Sequence, residues 1–347
     1  MGRSLSYLLP VVLVLLMASG SGLAHAPVDP EDGGSLATAT RVDEPSKSWA
    51  IYGELDGGGD TWYFKMNLDR GDRLRLSLLT TSYDLVPDLI VMGKDLLSTG
   101  ELPEGVDVPA GYGWVLLEGT LEPAEYEPFT PGSYYHVVEY DDNVTVDGTY
   151  FVAVHSDHDG GPFSLVVGYI ESFTVVEWLS LPSSLIGIYR WEGQGWAAIL
   201  GPAIGVIVVG LSAIAWFQRR RVREMTVFQW TSTIAGLLIL AWAAIVVYQM
   251  LRALDRSGWS AAAVLTMGFI AGSVATGIYA YLPAFRGPAV PDQGRRVGMF
   301  VVGVVALFLY TGIYVGPILA IVSAVLPSVL ASRKACQRVQ EGPFITD

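Results

Sequence analysis

Four side chains able to hold a metal or move a proton are packed into "HSDHDG", residues 155 to 160: His155, Asp157, His158 and Asp159. Imidazole suits zinc and copper, whereas calcium prefers carboxylate and carbonyl oxygen. His155, Asp157, Asp159 and Gly160 have the spacing that opens an acidic calcium loop. Two departures count against an EF-type site: the first ligand is a histidine, and Val166 stands where the bidentate glutamate belongs. Three readings stay open. They are a simpler calcium loop helped by Asp141, Asp142 or Asp147, a zinc or copper site on His155 and His158 with Asp157, and a solvated turn between strands. His25 extends the copper reading. Cleavage of a leader after Ala24 would leave an α-amine and an imidazole on one residue, a chelating pair that His136, His155 or His158 would complete.

Other chemistry is sparse. The chain has no G-x-S-x-G, H-E-x-x-H or P-loop, and no G-x-G-x-x-G ahead of a helix. Its one cysteine, Cys336, has no histidine near it in sequence and excludes an intrachain disulfide. Carboxylates abound, but nothing singles out a pair for acid–base work. These features favour a non-enzymatic protein. Asn143-Val144-Thr145 is a glycosylation sequon in a turn-rich stretch.

The elements that would position these residues divide the chain in two. Between residues 25 and 195 there are 29 acidic and 8 basic side chains. So acidic a half lacks the cationic face that nucleic-acid binding needs. It alternates with period two, as in "DRLRLSLL", where Leu74, Leu76 and Leu78 share a face. Further short strands ("DTWYFKMNL", "DLIVMG", "YGWVLLEG", "GTYFVAV", "PFSLVVGYI") stand between turn clusters such as "DGGGD", "DRGD" and "DDNVTVDG". The pattern predicts an extracytoplasmic antiparallel β-sandwich, jelly-roll-like, over residues 25–172. Ahead of it, Arg3, the apolar run "YLLPVVLVLLM" and the small residues of "ASGSGLAHA" read as a signal peptide over 1–24, with a cut after Ala26 as the alternative.

From Trp196 onward the composition turns apolar. Three segments, Trp196–Phe217, Val227–Leu251 and Trp259–Leu282, each suit one membrane helix. A fourth, Gly298–Ala331, would be ~51 Å long as a single helix, and "YVGP" (Tyr314 to Pro317) is placed to break it. The expectation is a transmembrane bundle of five helices over 196–331, with four as the alternative. Basic residues in "QRRRVRE", "FRGPAVPDQGRRVG" and "SRKACQR" then fall inside, giving a plasma-membrane protein with a cytoplasmic tail at 332–347. No Asp, Glu, Lys, Arg or His lies within these spans, which argues against a pump, a coupled transporter or an intramembrane protease. Gly201/Gly205, Gly268/Gly272 and Gly312/Gly316 have the spacing of close helix packing, within a bundle or between copies of the chain. Residues 173–195, with Trp178, Tyr189 and Trp191, form an aromatic juxtamembrane segment suited to the lipid headgroup level.

Gly53-Glu54-Leu55, Asp60 to Phe64, Gly71-Asp72, Gly148-Thr149-Tyr150 and Gly161-Pro162-Phe163 together resemble the bacterial pre-peptidase C-terminal domain. That family is a β-sandwich module that follows many secreted peptidases. The resemblance runs over about residues 50 to 168, with an unusual middle from 94 to 140. It implies a fold and no catalytic residue, and the membrane tail departs from the family. The "HAP" start and the "ESFTVVEW…IYRWEGQ" junction also resemble signal-bearing membrane proteins of archaea and some bacteria. Three functions are compatible with these readings. The first is a membrane-anchored surface protein whose sandwich binds a partner, a ligand or the envelope. The second is an envelope protein binding copper, zinc or calcium, and the third is an accessory subunit of a membrane complex.

Overall fold

The computed structural model of the protein describes residues 26–28, 33–172, 174–221, 225–286, 291–309 and 311–326. The expected leader at 1–24 and the tail at 332–347 lie outside them. The chain divides into two compact units, one built on the strands up to Gly193 together with Arg252–Ala263, the other on the apolar helices of Gln194–Leu251 and from Val264 onward.

The first unit contains eleven strands: β1 (Ala26–Val28), β2 (Thr40–Arg41), β3 (Trp49–Leu55), β4 (Asp60–Leu68), β5 (Arg73–Thr80), β6 (Asp88–Gly93), β7 (Gly113–Leu117), β8 (Glu125–Glu127), β9 (Gly132–Asn143), β10 (Gly148–Ser156) and β11 (Gly161–Val167). They form two sheets, ordered β1-β3-β11-β5-β9-β8 and β2-β4-β10-β6-β7. The alternation of "RLRLSLLT" holds in β5, where Leu74, Leu76 and Leu78 are buried and their neighbours are not. These leucines meet Ile51, Leu55, Phe163 and Leu165 from the same sheet, and Phe64, Met66, Leu89, Val91, Val152 and Val154 from the other, in one core. Each such side chain contributes roughly 1.5–3 kcal/mol when fully buried.

The sandwich is not wholly antiparallel, as the alternation alone implies. β1 pairs parallel with β3, and β2 pairs parallel with β4. Both precede β3 in the chain and add to sheet edges instead of closing a hairpin. A second departure concerns the stretch 94–140. β6 and β10 are buried on both faces because Tyr63, Ile90, Met92 and Ala153 form a smaller core on the outer side of the second sheet. Leu36, Leu102, Val108 and Tyr112, from the connecting segments, cover it. This is why "DLIVMG" lacks a polar face.

The juxtamembrane segment is a helix, α1 (Val175–Trp191), opened by a capping box in which Thr174 and Glu177 satisfy each other's backbone amides. Its aromatic residues do not all stand free for lipid. Tyr189 is buried, and the Trp191 indole donates to the Gly53 carbonyl at 2.7 Å and meets the Tyr52 ring at 4.8 Å.

The apolar helices are α2 (Trp196–Arg221), α3 (Val227–Ser257), α4 (Ala263–Tyr281), α5 (Gln293–Phe308) and α6 (Val315–Val325), of which the end of α3 from Arg252 groups with the strands. Three of these helices, α2 to α4, are long and apolar enough to cross a membrane. Among the described residues five helices of spanning length are not found, and the fourth apolar run does not make one long helix there either. At 16 and 11 residues, α5 and α6 rise ~24 and ~17 Å, short of ~30 Å of hydrocarbon. The break reaches the start of "YVGP", where Ile313 and Tyr314 adopt positive φ (49° and 58°). Pro317 then sits in the first turn of α6, whose amides have no intrahelical acceptor. Arg296, near the start of α5, donates to the Ala324 and Leu326 carbonyls at the end of α6, at 3.0 and 2.5 Å. The two helices therefore form an antiparallel hairpin that starts and finishes on one side.

Glycines let some of the helices approach closely. A methyl group on Gly236 of α3 would stand 2.5 Å from the Tyr281 amide nitrogen of α4 and 2.6 Å from the Gly277 carbonyl oxygen. Of the glycines noted in sequence, Gly272 packs on Leu309 and Gly316 on Ile239, while Gly201 and Gly205 meet nothing within 4 Å.

Candidate functional site

"HSDHDG" leaves the end of β10 and turns into β11. His155 is fully buried. Its Nδ1 lies 2.8 Å from the Thr61 hydroxyl and its Nε2 2.9 Å from the Asp157 carboxylate. A carboxylate only accepts, so Nε2–H donates to Asp157, and Nδ1 shares a hydrogen bond with the Thr61 hydroxyl. Both imidazole atoms able to bind a metal are thereby engaged. Asp157, His158 and Asp159 are exposed on the turn. Across β6, the register sets Asp88 opposite His155. Burial pushes the Asp88 carboxyl above the usual carboxylate range, against the lowering effect of the Gly119 N–H that donates to it at 2.8 Å.

The turn is held by its neighbour, the "DGGGD" turn between β3 and β4. Gly58 donates to the His158 carbonyl at 3.3 Å and Gly59 to that of Ser156 at 2.9 Å. Gly160 is needed for this approach, since a methyl group there would stand 2.6 Å from the Leu55 carbonyl oxygen. Asp60 caps the same turn by accepting from the amides of Asp56 and Thr61, each at 2.8 Å. The polar residues of both turns thus serve a paired backbone at one end of the sandwich.

Of the other proposed histidine ligands, only His136 is among the described residues. His25 is outside the described residues. Its neighbour Ala26 pairs with Trp49, at the opposite end of β3 from Leu55, which pairs with Gly161 beside the "HSDHDG" turn. Six residues of strand separate those ends by ~20 Å. His136 sits on β9 at 3.3 Å from Glu125. No group of three or more His, Cys, Asp or Glu side chains among the described residues is placed to hold a metal ion. The calcium, zinc and copper readings have no assembled ligand set there.

A second polar cluster, not singled out by the sequence, lies where α1 meets the first sheet. Lys47 donates to both Glu177 oxygens, at 2.6 and 2.8 Å, and lies 4.1 Å from the Trp49 ring centroid. The Lys47 side chain is 8% exposed. Burial alone would raise the Glu177 carboxyl, but hydrogen bonds from Lys47 and Thr174 outweigh it and hold the carboxyl below its ordinary range. At the far end of α1, the Tyr134 hydroxyl donates to Glu192 at 2.7 Å. Nearby, burial pushes the Glu127 carboxyl up to about 7, opposed by the Phe129 N–H bond at 3.0 Å and reinforced by the charge of Glu171. The Thr-x-x-Glu capping box is readable in the sequence. The partner 130 residues away is not.

In the helical unit, buried amides are used for packing. Gln194 and Gln249 exchange two hydrogen bonds, both 2.8 Å, and Gln229 donates to the Pro283 carbonyl at 3.2 Å. Trp196 and Trp216 on α2 are each 57% exposed. Twenty residues of helix separate them by ~30 Å, the thickness of the hydrocarbon layer. The chain matches no protein-family model and no curated protein.

Proposed function

We propose that the chain is a membrane-anchored surface protein whose sandwich, of the pre-peptidase C-terminal type, faces the exterior and binds a partner rather than carrying out a reaction. One observation carries this reading: a β unit with its own two-sided core is continuous with three apolar helices of membrane-spanning length. The residues with chemical potential, His155 and Asp157 above all, are spent on holding turns. The glycine–aromatic elements of the resemblance are structural too, since the ring of Phe163 lies over Gly53 and that of Tyr150 over Gly93.

Orientation follows from the basic residues. With the sandwich outside, α2 ends inside at Arg219–Arg221, α3 returns to the exterior, and α4 leads back in to Arg286, Arg295 and Arg296. The α5–α6 hairpin begins and ends on that inner side. The uncovered Gly201/Gly205 face of α2 suits a second copy of the chain. On the sandwich, Tyr83 and Leu97 are 70% and 85% exposed and are the leading contacts for a partner.

The test is position-specific photocrosslinking of the full chain on intact cells. A photoreactive residue in place of Leu97 or Tyr83 is expected to give one discrete protein adduct. Adducts to lipid alone, or none, would overturn the binding role, and protection of both positions from an impermeant protease would overturn the orientation.

A further inference from the structure

The turn from β9 to β10 carries the only Asn-x-Ser/Thr tripeptide in the chain, and Asn67 is the only other asparagine. Asn143 ends β9 opposite Arg73, on the face away from the core leucines Leu74 and Leu76. It is exposed, as are Thr145, Val146 and Asp147. Val144 between them is buried, and its backbone is pinned on both sides. Its N–H donates to the Asp72 carbonyl and its carbonyl accepts from Gly71, both at 2.9 Å. The pinned valine holds the flanking asparagine outward. The Asn143 backbone N–H bonds Asp142 at 2.8 Å, while its carboxamide makes no hydrogen bond to the described residues. Thr145 donates its N–H and its hydroxyl to one Asp95 oxygen, each at 2.8 Å.

We propose that Asn143 carries an N-linked oligosaccharide projecting from this turn. The proposal rests on the reading that the sandwich faces the exterior. The donor is an oligosaccharide joined to a lipid phosphate. Asn143 Nδ2 bonds to the anomeric carbon, the bond from that carbon to the phosphate oxygen breaks, the amide gives up one proton, and the lipid phosphate leaves. Because the folded turn engages the Thr145 hydroxyl, the transfer belongs to the chain before this turn closes.

The experiment is intact-mass and peptide mass spectrometry of the full chain, made in cells with a membrane glycosylation pathway. A mass excess on the Asn143 peptide is expected, lost in Asn143→Gln and Thr145→Ala and kept in Thr145→Ser. Leu97→Asn supplies the control, because it creates a sequon with Thr99 at an exposed position. If the asparagine introduced by Leu97→Asn is modified and Asn143 is bare, the proposal fails while the exterior placement stands. If neither is modified, both fail.

Discussion

At His155 the two nitrogens that would make an imidazole useful to a metal are committed to Thr61 and Asp157. Replacing it with alanine strands both partners and opens a cavity, so His155→Ala should cost ~3 kcal/mol in a denaturant titration. His158→Ala, on the exposed side of the turn, should stay within ~0.5 kcal/mol. Glu127 offers a test of sign. Its folded carboxyl is raised to about 7 from an ordinary 4.5, so between these values the folded state holds more protons than the unfolded one. Stability is therefore greatest at the acidic end of that window and is lost as pH rises through about 7. Thermal melts across the window should show this slope in the wild type and a flatter profile in Glu127→Gln. The sequence names the residue types in "HSDHDG" but not their partners. Ligand spacing is local, whereas Thr61 and the "DGGGD" backbone come from about a hundred positions away.

Elements are legible in the sequence where one face is buried. β5 can be read from its alternation, but β6 and β10, buried on both sides, show only apolar runs. "YVGP" signals the break in the fourth membrane segment, and the backbone turns at its first residue, Tyr314, and at Ile313 just before it. Spacing picks out three helix glycine pairs, while a close backbone approach uses Gly236 and Gly277 on facing helices, which no single-segment motif records. Gly236→Leu should disrupt the α3–α4 contact and lower the melting temperature in detergent. Gly201→Leu should leave the fold of the single chain intact and weaken only association between copies. For α1, Lys47→Met leaves Glu177 without its cation and should cost ~3 kcal/mol. The double change with Glu177→Leu should recover most of that loss.

At the scale of the whole molecule, the division at residues 193 and 194 follows the change in composition along the sequence, with two adjustments, the first being that Arg252–Ala263 groups with the β unit. The segment expected to lie on the membrane belongs to the β unit, because its polar ends find partners on the first sheet. A fragment of residues 26–193 should therefore fold without detergent and melt cooperatively, and one ending at residue 172 should be less stable. Circular dichroism melts of the two fragments would show the difference.

The fastening of α1 has a mechanical consequence. Glu177 and Trp191 are held by Lys47 and Gly53, and the ~21 Å of helix between the first pair matches the ~20 Å of extended chain between the second. Tension entering at the C-terminal end of α1 would reach the stretch from Lys47 to Gly53 at two anchorages together. It would load them in shear instead of unzipping one bond after another. The helix is thus fastened along the sandwich as a stiff strut, so a pull on its end would be passed into the β unit with little slack.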